Sequence, residues 1–585
     1  MRPENVTRRF PLNKLTAPAA SLAVEPSSVR VETNGAEASP LTIRNLCALG
    51  AVAIILALPM ILYGPMLQGH DTFEHLNYSR HFSQQFWAGE WYPRWLIDMN
   101  HGLGSPSLFV YPPFPSYVYS FLQPLGRVAH FDPFRMGEFV ALFGSGLTAF
   151  LWLSTMAGEW MALAGAALYM LMPYHLAADF YQRTALSECW ALVWMPLVLY
   201  FSATSKRKPW NVAGLAVAYA LLILSHLVSA AIFSLIPLAW AVMFSERGKR
   251  FGSIARVAAG MLLGTGLSCF YLIPALAHAR YFPVSRMPLW STLGNNLLTL
   301  GKLLHGSDAY VRGITFMLAE MLALCVVCGA VVLLRGNQDS RRKVIFWLAV
   351  CVVPVFLMSG PSFRVWKTCS LLLAAVQYPW RLNMVLCLAG AAMITLFFKE
   401  ITCLPRKVQA LLLLLVSLIM LPWVFAYGNV WTRYWTDKAP EAAIVNEDDG
   451  WFPAWTPQGT DQQSALEASR GPRARFLAGT GTVDVLRWQP RHIEFQAQSS
   501  TGGNVMINQF YYPAWRAALI DPYHALATKA AMPEGLLELD IPAGLHTVRL
   551  DIPTGLAERL GAWVSLLCGL LSAALVCKPF GSQNR

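Results

Sequence analysis

The stretch IRNLCALGAVAIILALPMILYGPML, residues 43–67, runs directly into QGHDTFEH, residues 68–75, and this junction governs how the rest of the chain reads. About twenty apolar residues rising 1.5 Å each cross the hydrocarbon core of a bilayer. Asp71 therefore stands just past a membrane-spanning helix, at the rim of a lipid-embedded body. Ionisable groups are costly to place there, so they are functional candidates by default. Asp71 can also serve as the N-cap of the segment that follows, and the two readings are compatible.

Hydrophobic residues make up 55% of the chain and charged residues only 13%, a balance that excludes a soluble protein of this length. Apolar segments run approximately 43–67, 136–155, 159–174, 188–203, 211–226, 229–244, 252–276, 314–335, 343–359, 382–398, 407–427 and 557–577. The expectation is an α-helical polytopic membrane protein with about twelve transmembrane helices. Basic clusters at Arg8 and Arg9, Lys206 to Lys208, Arg247 to Arg250, Arg341 to Lys343, Lys399 to Lys407 and Lys578 fall on one side of such a bundle. The positive-inside bias makes that side cytoplasmic, with both termini on it. The same parity excludes 109–130 as a span, so its Pro-broken run Tyr111 to Pro115 reads as an outer-face or re-entrant segment. The net charge of +12 is then mostly topology, with no nucleic-acid partner implied.

Residues 1–42 are polar, carry no signal-peptide core, and read as a disordered cytoplasmic tail. Residues 43–427 form the transmembrane domain, and 557–585 the last helix with a short cytoplasmic tail. Between them, 428–556 changes character: Val483–Gln489, His492–Gln498, Asn504–Phe510, Trp515–Ile520, Leu536–Ile541 and His546–Ile552 alternate with Gly, Pro and Asp turns. That spacing predicts an extracytoplasmic β-sandwich inserted before the last helix. Its run Tyr511-Tyr512-Pro513-Ala514-Trp515 can stack on a sugar or fill the sandwich core. The outer domain has no cysteine, so no disulfide framework is implied, and Cys325 with Cys328 reads as helix packing.

Three outer loops, 68–135, 175–187 and 360–381, carry the chemistry. Asp71, Glu74, His75 and Tyr78 fall at i, i+3, i+4 and i+7, one face of a helix starting near Thr72. The face aims into a cavity or is simply a solvated interfacial surface. The aromatic stretch around Arg94 is a further binding candidate or a membrane-interface belt. In the second loop Arg183 precedes Glu188 by five residues, where an arginine can clamp a phosphate while Glu188 binds a metal or an acceptor hydroxyl. Dipole stabilisation of Glu188 at a helix start is an equally physical reading. In the third loop Gln377-Tyr378-Pro379-Trp380-Arg381 sets an outer-face arginine against the positive-inside bias, and an anionic substrate group would answer it.

An acidic residue after the first helix, an amphipathic helix beside it and a second acidic residue before the fourth helix resemble the C-type (GT-C) superfamily of membrane glycosyltransferases. More narrowly, Gly69-His70-Asp71, Arg183 with Glu188, and the Gln377 to Arg381 run before a C-terminal β-domain resemble bacterial membrane proteins labelled 6-pyruvoyl-tetrahydropterin synthase-related. The chain shows no soluble pterin-enzyme domain, so that label is no guide to chemistry. The superfamily resemblance implies inverting transfer of a sugar from a polyprenyl-phosphate-linked donor to a glycan, lipid or protein acceptor at the outer face of the bacterial inner membrane. It makes Asp71 the general base, with Glu188 a second catalytic residue, and makes Arg183 and Arg381 the groups that stabilise the leaving phosphate. Glu74, His75, Tyr78, Arg94 and Tyr378 are the remaining binding candidates. His70-Asp71 stands where many relatives carry paired acids, so no cofactor is certain; a divalent metal, if used, would sit on Asp71 and Glu188. The rival reading is a non-catalytic transporter, flippase or scaffold for envelope polysaccharide. Such proteins place polar groups near mid-bilayer, whereas here they crowd the rim.

Overall fold

The computed structural model describes residues 41–63, 69–206, 208–282, 289–305, 309–373, 376–436, 456 and 459–577, so all but the last two residues of the tail 1–42 lie outside it. Among the described residues, eight helices are long and apolar enough to cross a membrane. A ninth is added if Arg250–Leu267 and Cys269–Tyr281, which meet at 67°, form one span. The expected twelve are therefore not reached, for reasons of length and charge. Pro209–Ser225, with 17 residues, extends only about 25 Å. The next segment is interrupted at Ser234, between Leu227–Phe233 and Leu235–Met243. Gln338–Met358 opens on Asp339, Arg341, Arg342 and Lys343. With the count changed, helix parity no longer fixes sidedness.

Burial separates centre from rim. The span Pro379–Ile401 is 83% buried, whereas Arg406–Arg433 and Leu556–Cys577 are each 11% buried and present apolar side chains outward, as lipid-facing helices do. Small residues explain the central helix's neighbours. In Glu159–Leu171, Ala162, Gly165, Ala166 and Tyr169 form one buried face, which packs on Asn383–Ile401. Without a hydrophobic drive between helices in lipid, such close backbone approach is what holds them together. The amphipathic helix Thr72–Trp87 packs on Phe114–Ala129, and neither is among the long apolar helices.

The C-terminal β-region comprises β1 (Ala474–Ala478), β2 (Gly481–Gln489), β3 (His492–Ser499), β4 (Gly503–Phe510), β5 (Arg516–Leu519), β6 (His524–Leu526), β7 (Thr528–Ala531), β8 (Leu536–Ile541) and β9 (Gly544–Asp551). They form two antiparallel sheets, ordered β1-β4-β8-β7 and β2-β3-β9-β5-β6. Phe495 and Val548 of one sheet share an apolar cluster with Val505 and Leu539 of the other. Tyr512 and Trp515 are fully buried in it, so the aromatic run is core and not a sugar platform.

This region is fastened to the loop that follows the first span. Trp95 Nε1 donates to Gln509 Oε1 at 2.7 Å, Gln509 Nε2 donates to the Gly102 carbonyl at 2.7 Å, and the Phe510 amide donates to the Leu103 carbonyl at 2.6 Å. Gly104, at φ +82°, permits this approach, because a Cβ there would run into the Trp95 ring and the Gln509 side chain. A second fastening joins three parts of the chain. Glu558, in the first turn of the last helix, takes Arg491 bidentately at 2.9 and 3.0 Å and Arg94 at 3.1 Å.

Glu90 lies beside that fastening, accepting from Gln85 Nε2 at 2.9 Å. Burial pushes its carboxyl up to about 7, against the Gln85 hydrogen bond and the Arg491 and Arg94 charges. Between the ordinary carboxylate range and about pH 7, the unfolded chain releases this proton while the folded chain keeps it, so stability falls as pH rises through that window. Replacing Glu90 with Gln should flatten the dependence. The check is the melting temperature of the purified protein at pH 5 and pH 8, where the wild type loses more than Glu90→Gln; an equal loss in both refutes the assignment.

Candidate functional site

The C-terminal end of the span Glu159–Arg183 winds into a buried π-helical segment, Tyr174–Arg183, and the chain leaves it through Thr184 at φ +54°. Wide i→i+5 turns are rare and concentrate at functional sites, and a left-handed threonine is held there only by its surroundings. The geometry sets Asp179 and Arg183 on one side, with Arg183 Nη1 on Asp179 Oδ1 at 2.6 Å. Leu186–Thr204 begins at once, and Glu188 in its first turn accepts from the same Nη1 at 2.9 Å and from Tyr174 Oη at 2.7 Å.

The loop that follows the first span is laid against this segment by backbone bonds. The His70 and Asp71 amides donate to the carbonyls of Gln182 and Arg183 at 3.3 and 2.8 Å. Asp71 Oδ2 thereby meets Arg183 Nη2 at 3.1 Å. Asp71 occupies the N-cap position of Thr72–Trp87 yet makes no capping hydrogen bond with its side chain. Its carboxylate faces Arg183 instead, so the capping reading does not hold for its side chain.

The third loop closes the cluster. Arg381 Nε lies 3.4 Å from Glu188 Oε2, and Arg381 Nη1 donates to Gln377 Oε1 at 2.5 Å. The Arg183 guanidinium lies over the Trp380 ring at 4.9 Å, and Tyr378 stacks on Trp380 at 5.0 Å. Three carboxyl groups thus face two guanidinium groups. Asp71 is the accessible one, with a side chain 32% exposed against 0% for Asp179, 1% for Glu188 and 4% for Arg183.

Glu74, His75 and Tyr78 line the adjoining wall. Tyr78 Oη donates to Glu74 Oε1 at 2.7 Å. Glu74 is exposed to solvent on one side while protein packs around it on the others. Burial pushes its carboxyl above the usual range, with the Asp71 charge pushing the same way and the Tyr78 hydrogen bond opposing. Burial also lowers His75 to about 4, so the imidazole is neutral near pH 7. Two nearby carboxyls held in different environments are the usual basis for dividing acid and base roles.

Arg94 is the exception among the binding candidates. It is held by Glu558 and the Phe270 carbonyl, with its guanidinium 3.9 Å over Tyr92, in the fastening of the β-region and away from Asp71. Asp179 is the converse case, central to the cluster and overlooked in the sequence. The cue was an acid four residues before Arg183 at the end of an apolar run.

A divalent ion on Asp71 and Glu188 does not fit this arrangement, because the cation between those carboxylates is the Arg183 guanidinium. Among the described residues no group of three or more His, Cys, Asp or Glu side chains is arranged to hold a metal ion. A groove of about 410 Å³ runs between spans beside the cluster, lined by Gln182, Tyr310, Phe316, Glu320, Phe425 and Arg433 among others. Gln182 precedes Arg183, and the Tyr310 ring lies 5.6 Å from that of Trp380, so one end of the groove abuts the site.

Residues 108–426, more than half of the chain and including the π-helical segment, match the family described as 6-pyruvoyl-tetrahydropterin synthase related domain; membrane protein. The chain belongs to that family. No curated protein matches it. Among solved structures, the mycobacterial arabinofuranosyltransferase AftD matches with a TM-score of 0.42 and 17% identity over 69% of this chain and 28% of that one. A mutant of the same enzyme matches at 16% identity with the same TM-score, over 69% and 29%. The family member therefore spans less than a third of AftD, and the site stands on its own geometry.

Proposed function

We propose that this protein is a membrane glycosyltransferase that moves a sugar, with inversion, from a polyprenyl-phosphate-linked donor to a glycan, lipid or protein acceptor. The observation that carries the reading is the uncapped, partly exposed Asp71 carboxylate, fixed on Arg183 and bordered by an apolar groove between spans. Asp71 takes the proton of the acceptor hydroxyl as that oxygen attacks the anomeric carbon. The bond from that carbon to the donor phosphate breaks, and its electron pair leaves with the phosphate. Arg183 is enclosed by carboxylates, so contact with the leaving phosphate falls to Arg381, while Arg183 orients Asp71.

The groove takes the polyprenyl chain, with the phosphate at the end marked by Gln182 and Tyr310. The two sheets form a β-sandwich that, tied to the first loop, positions the acceptor, and the site opens on the outer face of a bacterial inner membrane with both termini inside. One feature favours a transporter or flippase: Glu320 is a buried carboxyl lining the groove about 15 Å along its helix from Tyr310. Incubating membranes that contain the protein with a panel of radiolabelled polyprenyl-phosphate sugars separates the readings. Label appearing on an acceptor in wild-type but not Asp71→Asn membranes supports transfer; label that only changes leaflet supports the flippase.

A further inference from the structure

We propose that the groove between spans binds the hydrocarbon chain of a lipid together with one proton, and that Glu320 is the residue that takes the proton. Three segments build the groove, each along one face. Tyr310, Gly313, Met317 and Glu320 recur at helical spacing on the span Tyr310–Arg335, and Pro422, Phe425, Ala426, Asn429 and Arg433 do so on Arg406–Arg433. Pro173, Ala177, Tyr181 and Gln182 supply the third wall. The two ends differ. Gln182, Tyr310 and Arg433 mark the head, where Trp431 packs on Tyr63 at the end of the first span with ring centroids 6.3 Å apart. Beyond Asn429 the walls are apolar, and Glu320 interrupts them about 15 Å from Tyr310.

Glu320 is 8% exposed, and its Oε1 has no hydrogen-bond partner. No charged group among the described residues acts on it. Of the titratable groups on elements packed against its helix, Tyr310 and Arg433 lie at the head, Asp179 and Arg183 hold each other, and the Cys351 and Cys387 thiols stand beside Cys325. A lone carboxyl in an apolar wall is costly in either form, and costlier when charged. While the groove is empty, water entering from the polar head solvates the ionised form. A hydrocarbon chain packing along the walls displaces that water and leaves a charge with neither solvent nor counter-ion. The carboxylate therefore takes a proton from solution as the chain enters and returns it as the chain leaves. Because the filled groove holds the proton more tightly than the empty one, affinity for the chain is highest at low pH. It falls as pH rises, by up to about tenfold per pH unit for a single proton.

That the lipid is a polyprenyl carrier rests on the proposed function; the coupling of hydrocarbon to proton does not. The purified full-length protein is titrated by calorimetry with geranylgeraniol, an isoprenoid alcohol with no titratable group in the range, between pH 5 and pH 9. Each titration is run in two buffers of different ionisation heat, so that the signal reports protons taken up as well as binding. Wild type is expected to take up close to one proton per alcohol bound within this range, and to bind at least about tenfold more weakly at its alkaline end. Glu320→Gln, nearly isosteric and uncharged, should take up none and keep the acid-side affinity throughout. Glu320→Leu should do the same and replaces it should the amide variant fail to fold. Wild type that binds the alcohol with no proton uptake overturns the proposal, as does wild type that does not bind it. So does loss of binding at pH 5 in both variants, because the carboxyl would then be a contact for a polar group of the ligand. A protein that transfers sugar yet shows no uptake keeps the glycosyltransferase reading and sinks this one. One that transfers none yet couples the alcohol to a proton does the reverse.

Discussion

Asp71→Asn lowers the rate of sugar transfer by about a hundredfold to ten-thousandfold, the usual contribution of a positioned general base. The change is nearly isosteric, and the amide oxygen can still accept from Arg183 Nη2, so the contact between the first and second loops survives. What disappears is the negative charge of the most exposed carboxylate in the cluster. Because Asp71 makes no capping bond, helix Thr72–Trp87 loses nothing, and the melting temperature should stay within a degree or two of wild type. The measurement is turnover of the purified variant with a polyprenyl-phosphate sugar, alongside its thermal unfolding. Wild-type turnover removes Asp71 from the chemistry, and loss of both turnover and stability returns it to a structural role.

The parts of this arrangement that were legible in the sequence are those with a local signature. The acid beyond the first helix, the 3.6-residue face through Glu74, His75 and Tyr78, and the arginines at the ends of apolar runs can each be read within ten residues. Asp179 was harder to see, because His175-Leu176-Ala177-Ala178-Asp179 looks like the frayed end of an apolar helix, and only its spacing of four residues from Arg183 hints that the two share a face. Arg94 failed in the opposite way. Its aromatic neighbours suggested an outer binding surface, whereas its partner, Glu558, comes from the far end of the chain, where no sequence pattern links the two. Strands β6 and β7 span three and four residues, too few for alternation to show, and β1 was passed over next to the short helix Gln462–Ser469. Part of the difference in span count lies in breaks: mean apolarity was visible, but the interruptions at Ser234 and Ser268, which divide long runs into short helices, were not.

Glu188→Ala has the larger structural effect. Glu188 is 1% exposed and is shared by Arg183 at 2.9 Å, Tyr174 Oη at 2.7 Å and Arg381 at 3.4 Å. Its removal leaves Arg381 with no carboxylate in contact and a buried tyrosine hydroxyl with no acceptor. Breaking one side of a buried ion pair costs about 3–5 kcal/mol, chiefly because the surviving charge stays desolvated. Spread over a chain of 585 residues, a loss of that size lowers the melting temperature by about 2–4 °C, where Asp71→Asn changes it less. Glu188→Gln should fall between, since an amide oxygen still accepts from Tyr174 but carries no charge for the guanidinium groups. Transfer is lost in both Glu188 variants, though for a different reason than in Asp71→Asn: Arg183 and Arg381 share this one anchor, and without it both the base and the phosphate contact lose their position. The ordering wild type and Asp71→Asn above Glu188→Gln above Glu188→Ala, read from thermal unfolding of the purified proteins, is the test. A Glu188→Ala protein that melts with the wild type would mean that the two arginines find other partners and that the cluster is not held from its buried side.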